Sequence, residues 1–252
     1  METFTSREVF LTFDVEGPPG REDFMNSYTL EAFHEVLKLL EEYNLRGLFF
    51  ITGNVVEKIC TDFTILKLLE KHEIGFHSSS HSVKPRIFEY TDVPDYEQAV
   101  KISMIRETSK INPFSGKVMG NGGILSLRKL FPKKRIESFR APFDYFSPPH
   151  IEALKKLGFR FIFSGDFSRN PVSYKNLTFF PKAVFIDDLV SKLLQVNYQR
   201  RLSINLTFLR VFNTKSLVFA LHPCQMVYDV AKSLDVYLKN PMHPLRLNGR
   251  IL

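Results

Sequence analysis

Residues 9–16 read VFLTFDVE, a mostly apolar run that ends with two acidic residues, Asp14 and Glu16. Val9 to Asp14 is short and mostly apolar, which predicts a β-strand buried on both faces. After it, apolar residues recur at spacings of three and four, which predicts an amphipathic helix from near Thr29 to near Asn44. A buried strand followed by such a helix is typical of parallel sheets covered by helices.

The same alternation of strand and helix recurs along the chain. GLFFIT at residues 47–52 predicts a second buried strand, and a second helix and third strand follow at 61–71 and 74–77. Further strands are predicted at 136–140, 159–164 and 217–221, and further helices at 95–111 and 148–157. The Gly-rich residues 120–123 predict a loop, and residues 185–213 suit a helix at the bottom or edge of a barrel. We therefore expect an α/β fold with one domain spanning all 252 residues.

Composition limits the classes of function. The chain is 44% hydrophobic and carries a formal net charge of +7. It has no dense Lys/Arg run with interleaved aromatic residues, so a nucleic-acid partner is not expected. The charge indicates either a Lys-rich surface or a substrate that carries phosphate. Cys60 and Cys224 form no CxxC pair, which argues against a zinc knuckle or a redox motif.

The location of the protein is also an expectation from the sequence. The residues METFTSREVFLTFDVEG contain no apolar segment of signal-peptide length, and no run of 18 apolar residues occurs in the chain. We expect a cytoplasmic protein without a transmembrane helix, and peripheral contact with the inner membrane surface stays open. The sequence indicates no oligomeric state.

Unusual polar residues end four of the predicted strands. Asp14 and Glu16 end the first, His77 the third, Arg140 a later one and His222 the last. In barrels of alternating strands and helices, catalytic groups lie just past the C-terminal ends of the strands. Two acids, a guanidinium and imidazoles at such ends predict a site.

A pair of histidines indicates a metal. His77 and His81 lie four residues apart in the segment HSSSH, so on a helical turn both imidazoles project from one face. Two imidazoles and one carboxylate are a common Zn²⁺ ligand set that leaves a position open for water. Either histidine alone is more often structural, whereas the pair favours a metal.

The carboxylate is expected from Asp14 or Glu16. Residues i and i+2 of an extended segment point to the same side, so these two acids repel each other unless a cation lies between them. An equally weighted interpretation is a solvated acidic strand end beside the turn Gly17-Pro18-Pro19-Gly20.

The motifs together resemble a known family. The segments TFDVE (12–16), HSSSH (77–81), RAPF (140–143) and LHP (221–223) resemble those of NodB-type polysaccharide deacetylases, carbohydrate esterase family 4, in an acid-x-acid variant. The stretches 37–53 and 151–159 also resemble that family, so the resemblance covers roughly residues 7 to 224. It implies a distorted (β/α)7 barrel.

The resemblance also implies roles for single residues. Asp14 matches the family's catalytic base, and His77 and His81 match its metal-binding histidines. Arg140 matches the arginine that pairs with the base. Three further matches are the oxyanion donor at the Phe143 backbone N–H, the general acid at His222 and the acid that tunes that histidine at Asp166.

The chain departs from the family pattern in two places. The family's common motif has adjacent aspartates, of which the second binds the metal, but here Val15 holds that position. Glu16 is therefore the candidate third metal ligand. The family's fourth motif pairs its Asp with Trp, and since this chain has no Trp, Phe167 would supply the apolar wall beside Asp166.

These assignments predict a metal-dependent amide hydrolase, with Zn²⁺ as the expected ion. Our first hypothesis is removal of an N-acetyl group from an N-acetylated sugar. A second is hydrolysis of a cyclic imide, a ureide or a formamide at the same site. A third is a carbohydrate-binding protein that has lost catalysis, against which the intact set of candidate residues argues.

The charge of the chain bears on the form of the substrate. A cytoplasmic deacetylase would meet its sugar while that sugar is joined to a nucleotide or a lipid phosphate. Lys84 and Arg86 follow the histidine pair closely and would reach such a phosphate. Ordinary surface charge explains both residues equally well.

Overall fold

A computed structural model describes residues 8–17, 22–81, 93–164, 170–185 and 216–224. Its strands are β1 (Glu8–Val15), β2 (Leu48–Ile51), β3 (Glu73–Phe76), β4 (Ser109–Ile111), β5 (Val118–Asn121), β6 (Ser138–Phe139), β7 (Phe161–Ile162), β8 (Val172–Tyr174), β9 (Leu177–Phe179), β10 (Val184–Phe185) and β11 (Ser216–Leu221). Its helices are α1 (Ser27–Glu42), α2 (Val56–Ile59), α3 (Phe63–Leu69), α4 (Tyr96–Glu107), α5 (Ile124–Leu130) and α6 (Pro148–Lys156), with 3-10 turns at Gly53–Val55 and Pro142–Asp144.

The main sheet is almost entirely parallel. Its strand order is β10-β11-β1-β2-β3-β6-β7-β9-β8, and β8 alone runs antiparallel to its neighbour. Strand β1 lies between β2 and β11, where Thr12 pairs with Leu48 on one side and Ala220 on the other. The predicted α/β fold class is confirmed.

The sheet curls toward a barrel because its two ends are tied together. Strands β9 and β10 lie near opposite ends of the strand order, yet only residues 180–183 separate them in the chain. Five peptide units span at most about 18 Å, so the two ends of the sheet approach each other. The parallel strands therefore surround an interior, as in a (β/α) barrel.

Alternation along the strands gives the sheet two different faces. Phe13 on β1 and Phe49 on β2 belong to the large core packed beneath the helices. Phe50, the next residue of β2, belongs instead to a second core with Phe163 and Val218. This second core fills the interior of the curl, and the predicted burial of the strands on both faces follows from it.

The first helix begins where its capping residues dictate. The Asn26 side chain accepts a hydrogen bond from the Thr29 N–H, and the Thr29 hydroxyl accepts one from the Asn26 N–H, both at 2.9 Å. This reciprocal arrangement is a capping box. Helix α1 packs on α3, and α4 packs on α6. None of the helices in the described ranges is long and apolar enough to cross a membrane.

Two of the predicted elements differ from the structure. The helix predicted over 95–111 ends at Glu107, because residues 109–111 form β4 and pair with β5 in a small antiparallel sheet. The predicted Gly-rich loop is partly wrong, since Gly120 and Asn121 lie in β5. Nearly all of the predicted helix over 185–213 lies outside the described residues.

Candidate active site

A cavity of about 520 Å³ lies where the parallel strands end. It is lined by seven of the eight residues that the sequence singled out, namely Asp14, Glu16, His77, His81, Arg140, Phe143 and His222. The eighth, Asp166, lies outside the described residues. The structure thus brings together residues from distant parts of the chain.

Arg140 holds Asp14 in place within the cavity. Its Nη1 donates to Asp14 Oδ1 at 2.7 Å, and its Nη2 donates to Thr12 Oγ1 at 2.9 Å. The guanidinium lies over the Phe50 ring, 4.5 Å from the centroid, and both charged side chains are buried. Burial by itself raises the pKa of Asp14, but the charges around it, of which Arg140 is the strongest, outweigh burial and lower the pKa below its ordinary value. Asp14 is therefore held ionised.

Glu16, His77 and His81 converge on one point, and we call them the acceptor triad. Glu16 Oε2 lies 3.3 Å from His77 Nε2 and 3.1 Å from His81 Nε2. That carboxylate oxygen is buried and has no hydrogen-bond partner among the described residues. A buried oxygen left in this way is costly unless a cation satisfies it.

The tautomer of His77 strengthens the case for a cation. Its Nδ1 lies 2.9 Å from the Arg140 carbonyl oxygen, which can only accept, so Nδ1 carries the proton. In the neutral ring, Nε2 then presents a lone pair toward Glu16. An imidazole whose other nitrogen donates to a carbonyl is the usual arrangement of a metal ligand. The acceptor triad fits a divalent metal ion.

The pKa values of the two histidines shift in opposite directions. Burial lowers the pKa of His77, but the nearby carboxylates of Asp14 and Glu16 outweigh it, so the pKa is raised. Burial lowers the pKa of His81, and there it dominates. The two rings therefore differ in proton affinity although both face Glu16.

The predicted helical turn between the histidines is wrong. Residues 77–81 form an irregular loop in which Ser78 adopts a positive φ of 65°. Asp23 holds the far end of this loop, because its carboxylate accepts from Ser80 Oγ and from the His81 N–H at 2.8 Å each. The two imidazoles meet because the chain is bent at Ser78, and helical periodicity plays no part.

His222 approaches the site from the end of β11. Its Nε2 lies 3.6 Å from Asp14 Oδ2 and 3.8 Å from Glu16 Oε1. The Phe185 ring stacks on the imidazole, with 5.4 Å between centroids and an interplanar angle of 11°. Phe167, for which the sequence predicted an apolar wall, lies outside the described residues, and Phe185 forms such a wall.

Phe143 also lines the cavity, in a turn with unusual backbone angles. Both Phe143 and Asp144 have φ of 57°. The Phe143 ring lies 4.4 Å from the His81 ring between centroids and is 47% exposed. Burial raises the pKa of Asp144 above its ordinary value. The oxyanion role of the Phe143 N–H stays a prediction.

A comparison with protein families agrees with this geometry. Residues 2–111 match the polysaccharide deacetylase family model. The matched range contains Asp14, Glu16 and the 77–81 loop, so the resemblance to polysaccharide deacetylases is confirmed over the part of the chain that carries the acceptor triad. No curated protein matches the chain in sequence.

The chain is also similar to solved structures of other proteins. A candidate polysaccharide deacetylase from Mycobacterium smegmatis is 15% identical, with a TM-score of 0.55 over 92% of this chain and 85% of that one. A 4-alpha-glucanotransferase from Thermococcus litoralis is 13% identical, with a TM-score of 0.50 over 86% of this chain and 33% of that one. A pseudoenzyme of carbohydrate esterase family 4 from Bacillus anthracis is 11% identical, with a TM-score of 0.48 over 95% of this chain and 63% of that one.

Two of these proteins are considerably longer than this chain. The chain spans less than two thirds of the length of the Bacillus anthracis pseudoenzyme and one third of the glucanotransferase. The presence of a transferase on a similar fold also means that the fold alone does not decide the reaction.

Sequence reasoning missed several residues that line the cavity. These are Glu22, Ala141, Asp144, Tyr145, Lys182 and Phe185. Asp144 and Tyr145 directly follow the RAPF motif, so their closeness to Arg140 in the sequence was an available signal. Lys182 and Phe185 lie in or next to the β9–β10 connection, whose place at the cavity depends on how the sheet curls.

Proposed function

We propose that this chain is a metal-dependent deacetylase that removes the acetyl group from an N-acetylated sugar, with Zn²⁺ held by Glu16, His77 and His81. One observation carries the proposal. Three ligand atoms, one from each residue of the acceptor triad, lie within 4.8 Å of one another beside an ionised Asp14 and the imidazole of His222. This is the donor set of a hydrolytic zinc site with an open position.

The protein side chains divide the proton transfers between them. A bound divalent ion would supply a water of lowered pKa and stabilise negative charge on the substrate oxygen. Asp14 accepts the proton of the attacking water, and Arg140 keeps Asp14 ionised for that task. His222, beside Asp14, donates a proton to the departing amine. Removal of the amine needs this proton because an amide anion is a poor leaving group.

Positioning of the substrate falls to the aromatic residues of the cavity wall. The backbone N–H of Phe143 is our proposed donor to the oxyanion, and such a donor typically contributes about 3 kcal/mol to transition-state stabilisation. The exposed rings of Phe143 and Tyr145 both line the cavity. Aromatic faces beside an acidic site suit a sugar, which has apolar C–H faces and polar edges.

The charge of the cavity bears on the choice of substrate. Among its described lining residues are four carboxylates, Asp14, Glu16, Glu22 and Asp144, against the cations Arg140 and Lys182. A divalent ion would balance this charge and leave no positive excess. We therefore propose that a neutral N-acetyl sugar enters the cavity. A phosphate carrier would have to lie beyond it; Lys84 and Arg86 lie outside the described residues.

The experiment measures metal content and acetate release together. Zn²⁺-reconstituted protein should bind one ion per chain and release acetate from an N-acetylhexosamine or its oligomers. His77→Ala should lose both properties, whereas His34→Ala, on α1 and outside the cavity lining, should keep both. Absence of bound metal would refute the metal site.

The same assay separates the alternative functions. Release of product from a cyclic imide, a ureide or a formamide, with no acetate from sugars, would move the protein to that class of amide hydrolase. Metal and sugar binding without turnover would indicate a non-catalytic carbohydrate-binding protein.

We also propose that the protein acts in the cytoplasm, with contact to the inner membrane surface open. Its two cysteines, Cys60 and Cys224, are not joined in a disulfide, which is the state expected in a reducing compartment. A sugar on a nucleotide or lipid phosphate would be the accessible form there. Cell fractionation tests the location, and recovery of an exported form would refute it.

A further inference from the structure

Besides Glu16 and Asp23, a third buried carboxylate contacts the 77–81 loop, through two loop residues that do not line the cavity. Glu107 ends helix α4 and is 1% exposed. It does not line the cavity that contains the acceptor triad. Burial of a charged side chain is costly, so its partners must offset that cost.

Glu107 receives hydrogen bonds from two residues of the loop. The Ser78 hydroxyl lies 2.9 Å from each carboxylate oxygen, and the Ser79 N–H donates to Oε2 at 3.0 Å. Ser78 lies next to His77 and has the positive φ that bends the loop. The carboxylate therefore fixes the bend that brings the two histidines together.

Glu107 also ties the loop to a third element. His150 Nε2, in the first turn of α6, lies 2.8 Å from Glu107 Oε1. The His150 ring packs edge-on against Phe139, the residue before Arg140, with 5.4 Å between centroids. One carboxylate thus connects the histidine loop, α4 and α6, next to the strand that leads to Arg140.

Glycines allow this close approach. A Cβ at Gly123 would overlap Ser79 Oγ and the Glu107 carbonyl oxygen, and a Cβ at Gly53 would lie 2.9 Å from the Ser79 Cα. The Gly53 and Asn54 N–H groups donate to the Ser78 and Ser79 carbonyls at 2.8 and 3.0 Å. The loop backbone is therefore held by neighbours on more than one side, and the Gly-rich segment of the sequence has a packing role.

We propose that Glu107 is a positioning residue for the metal site, which holds Ser78 and Ser79 so that His77 and His81 reach Glu16 without rearrangement. The inference rests on the proposed function, because it takes the acceptor triad as the metal site. Groups that orient metal ligands through hydrogen bonds commonly change metal affinity 10- to 100-fold when they are removed. A role in packing alone would lower stability and leave the affinity unchanged.

The test measures Zn²⁺ affinity by competition with a chelator and records the visible spectrum of Co²⁺-loaded protein, which reports ligand geometry. Glu107→Ala should weaken Zn²⁺ binding about 10- to 100-fold and alter the spectrum. Glu107→Gln should have a smaller effect, because its amide oxygen still accepts and the Ser78 hydroxyl can rotate to accept from the amide group.

The matched control is Asp95→Ala. Asp95 caps the other end of α4, where it accepts from the Gln98 N–H. Its loss therefore destabilises the same helix without touching the loop. Zn²⁺ affinity and the Co²⁺ spectrum of this variant should equal those of the wild-type protein.

Each outcome decides between the two roles. Weaker Zn²⁺ binding in the Glu107 variants but not in Asp95→Ala supports the proposal. Unchanged affinity and spectrum in the Glu107 variants, with wild-type protein that binds Zn²⁺, would overturn it and leave the proposed function intact. A wild-type protein that binds no Zn²⁺ would overturn both. Should the Glu107 variants not fold, Ser78→Ala decides, since it removes only the hydroxyl and should weaken binding in the same direction; unchanged binding there refutes the proposal.

Discussion

Two buried glutamates contact the loop that carries His77 and His81, and their surroundings differ. Glu107 accepts hydrogen bonds from Ser78 and Ser79, whereas Glu16 faces imidazole nitrogens and has one oxygen without a hydrogen-bond partner among the described residues. Since a buried carboxylate needs compensation, the difference separates a group that is satisfied by the protein from one that a bound cation would satisfy. Burial alone, at 5% exposure for Glu16 and 1% for Glu107, would not have distinguished them.

The largest expected effect is on catalysis, and it tests whether Glu16 and Asp14 have different roles. Asp14→Asn should lower kcat by about 10²- to 10⁴-fold, because a general base is lost, while Zn²⁺ stays bound. Glu16→Gln should lose tight metal binding. Steady-state kinetics on an N-acetyl sugar, with metal analysis of each variant, measures both. If Asp14→Asn loses the metal and Glu16→Gln retains it, the roles of the two acids are exchanged.

The second prediction compares the glutamates directly through thermal stability. Zn²⁺ at a thousandfold excess over Kd should stabilise the wild-type protein by about 4 kcal/mol. Glu16→Gln should lose this stabilisation, since it removes a ligand. Glu107→Gln should unfold at a lower Tm without metal but still respond to Zn²⁺, at higher concentration. Melting curves over a Zn²⁺ series measure this. An equal response of both variants to Zn²⁺ would remove the distinction between the two glutamates.

The third prediction concerns the space around Glu107. Gly123→Ala should destabilise the protein, because the new Cβ would overlap Ser79 and Glu107 at a φ of 53°. Gly120→Ala is the matched control. Gly120 also has a positive φ, of 114°, but nothing lies within 4 Å of its Cβ position. Chemical denaturation should show Gly123→Ala to be less stable than the control by about 1–3 kcal/mol. Equal losses would mean that backbone strain alone matters there.

The smallest expected effect is on the pH dependence of stability. It comes from His72, which lies at the ends of the strands opposite the cavity, away from both glutamates. His72 is buried before β3, and its Nδ1 accepts from the Gly47 N–H at 3.3 Å. Burial, with help from the Lys134 and Lys71 charges, lowers the pKa of His72. When the pKa of a base is lower in the folded state than in the unfolded state, its contribution to stability is complete at pH values above the unfolded-state pKa. That contribution is lost as the pH falls toward the folded-state pKa.

His72→Asn should therefore lose less stability than the wild-type protein between about pH 7 and pH 5, the range in which an imidazole titrates. Asparagine keeps an acceptor for the Gly47 N–H but does not titrate. Denaturation at a series of pH values measures the slope. A variant with the same slope as the wild-type protein would show that other groups cause it.

The sequence predicted which residues line the cavity better than it predicted the contacts that hold them there. Strand ends could be located because apolar runs stop at Asp14, His77 and His222, and parallel strands place such ends on one edge. The contacts of Glu107 could not be predicted, since they depend on how α4 and α6 pack. Phe185 was missed for a similar reason, because its stacking on His222 depends on the closure of the sheet.

The spacing of the two histidines singled out two residues that the structure does bring together, but it did so for a wrong reason. Four residues fit one helical turn, but Ser78 in the left-handed region bends the chain instead. Serine seldom adopts that conformation, so no propensity predicts it. Its stabilisation comes from Glu107, 29 residues away in the chain.

The residues of the candidate site are also made at different times during synthesis, because β1 pairs with the late strand β11. Thr12 on β1 donates to the Phe219 carbonyl on β11, across 207 positions, and β11 lies between β1 and β10. Contacts of such sequence separation form late. Glu16, His77 and His81 all leave the ribosome well before β11 does. The three proposed metal ligands are therefore made before His222, the proposed proton donor.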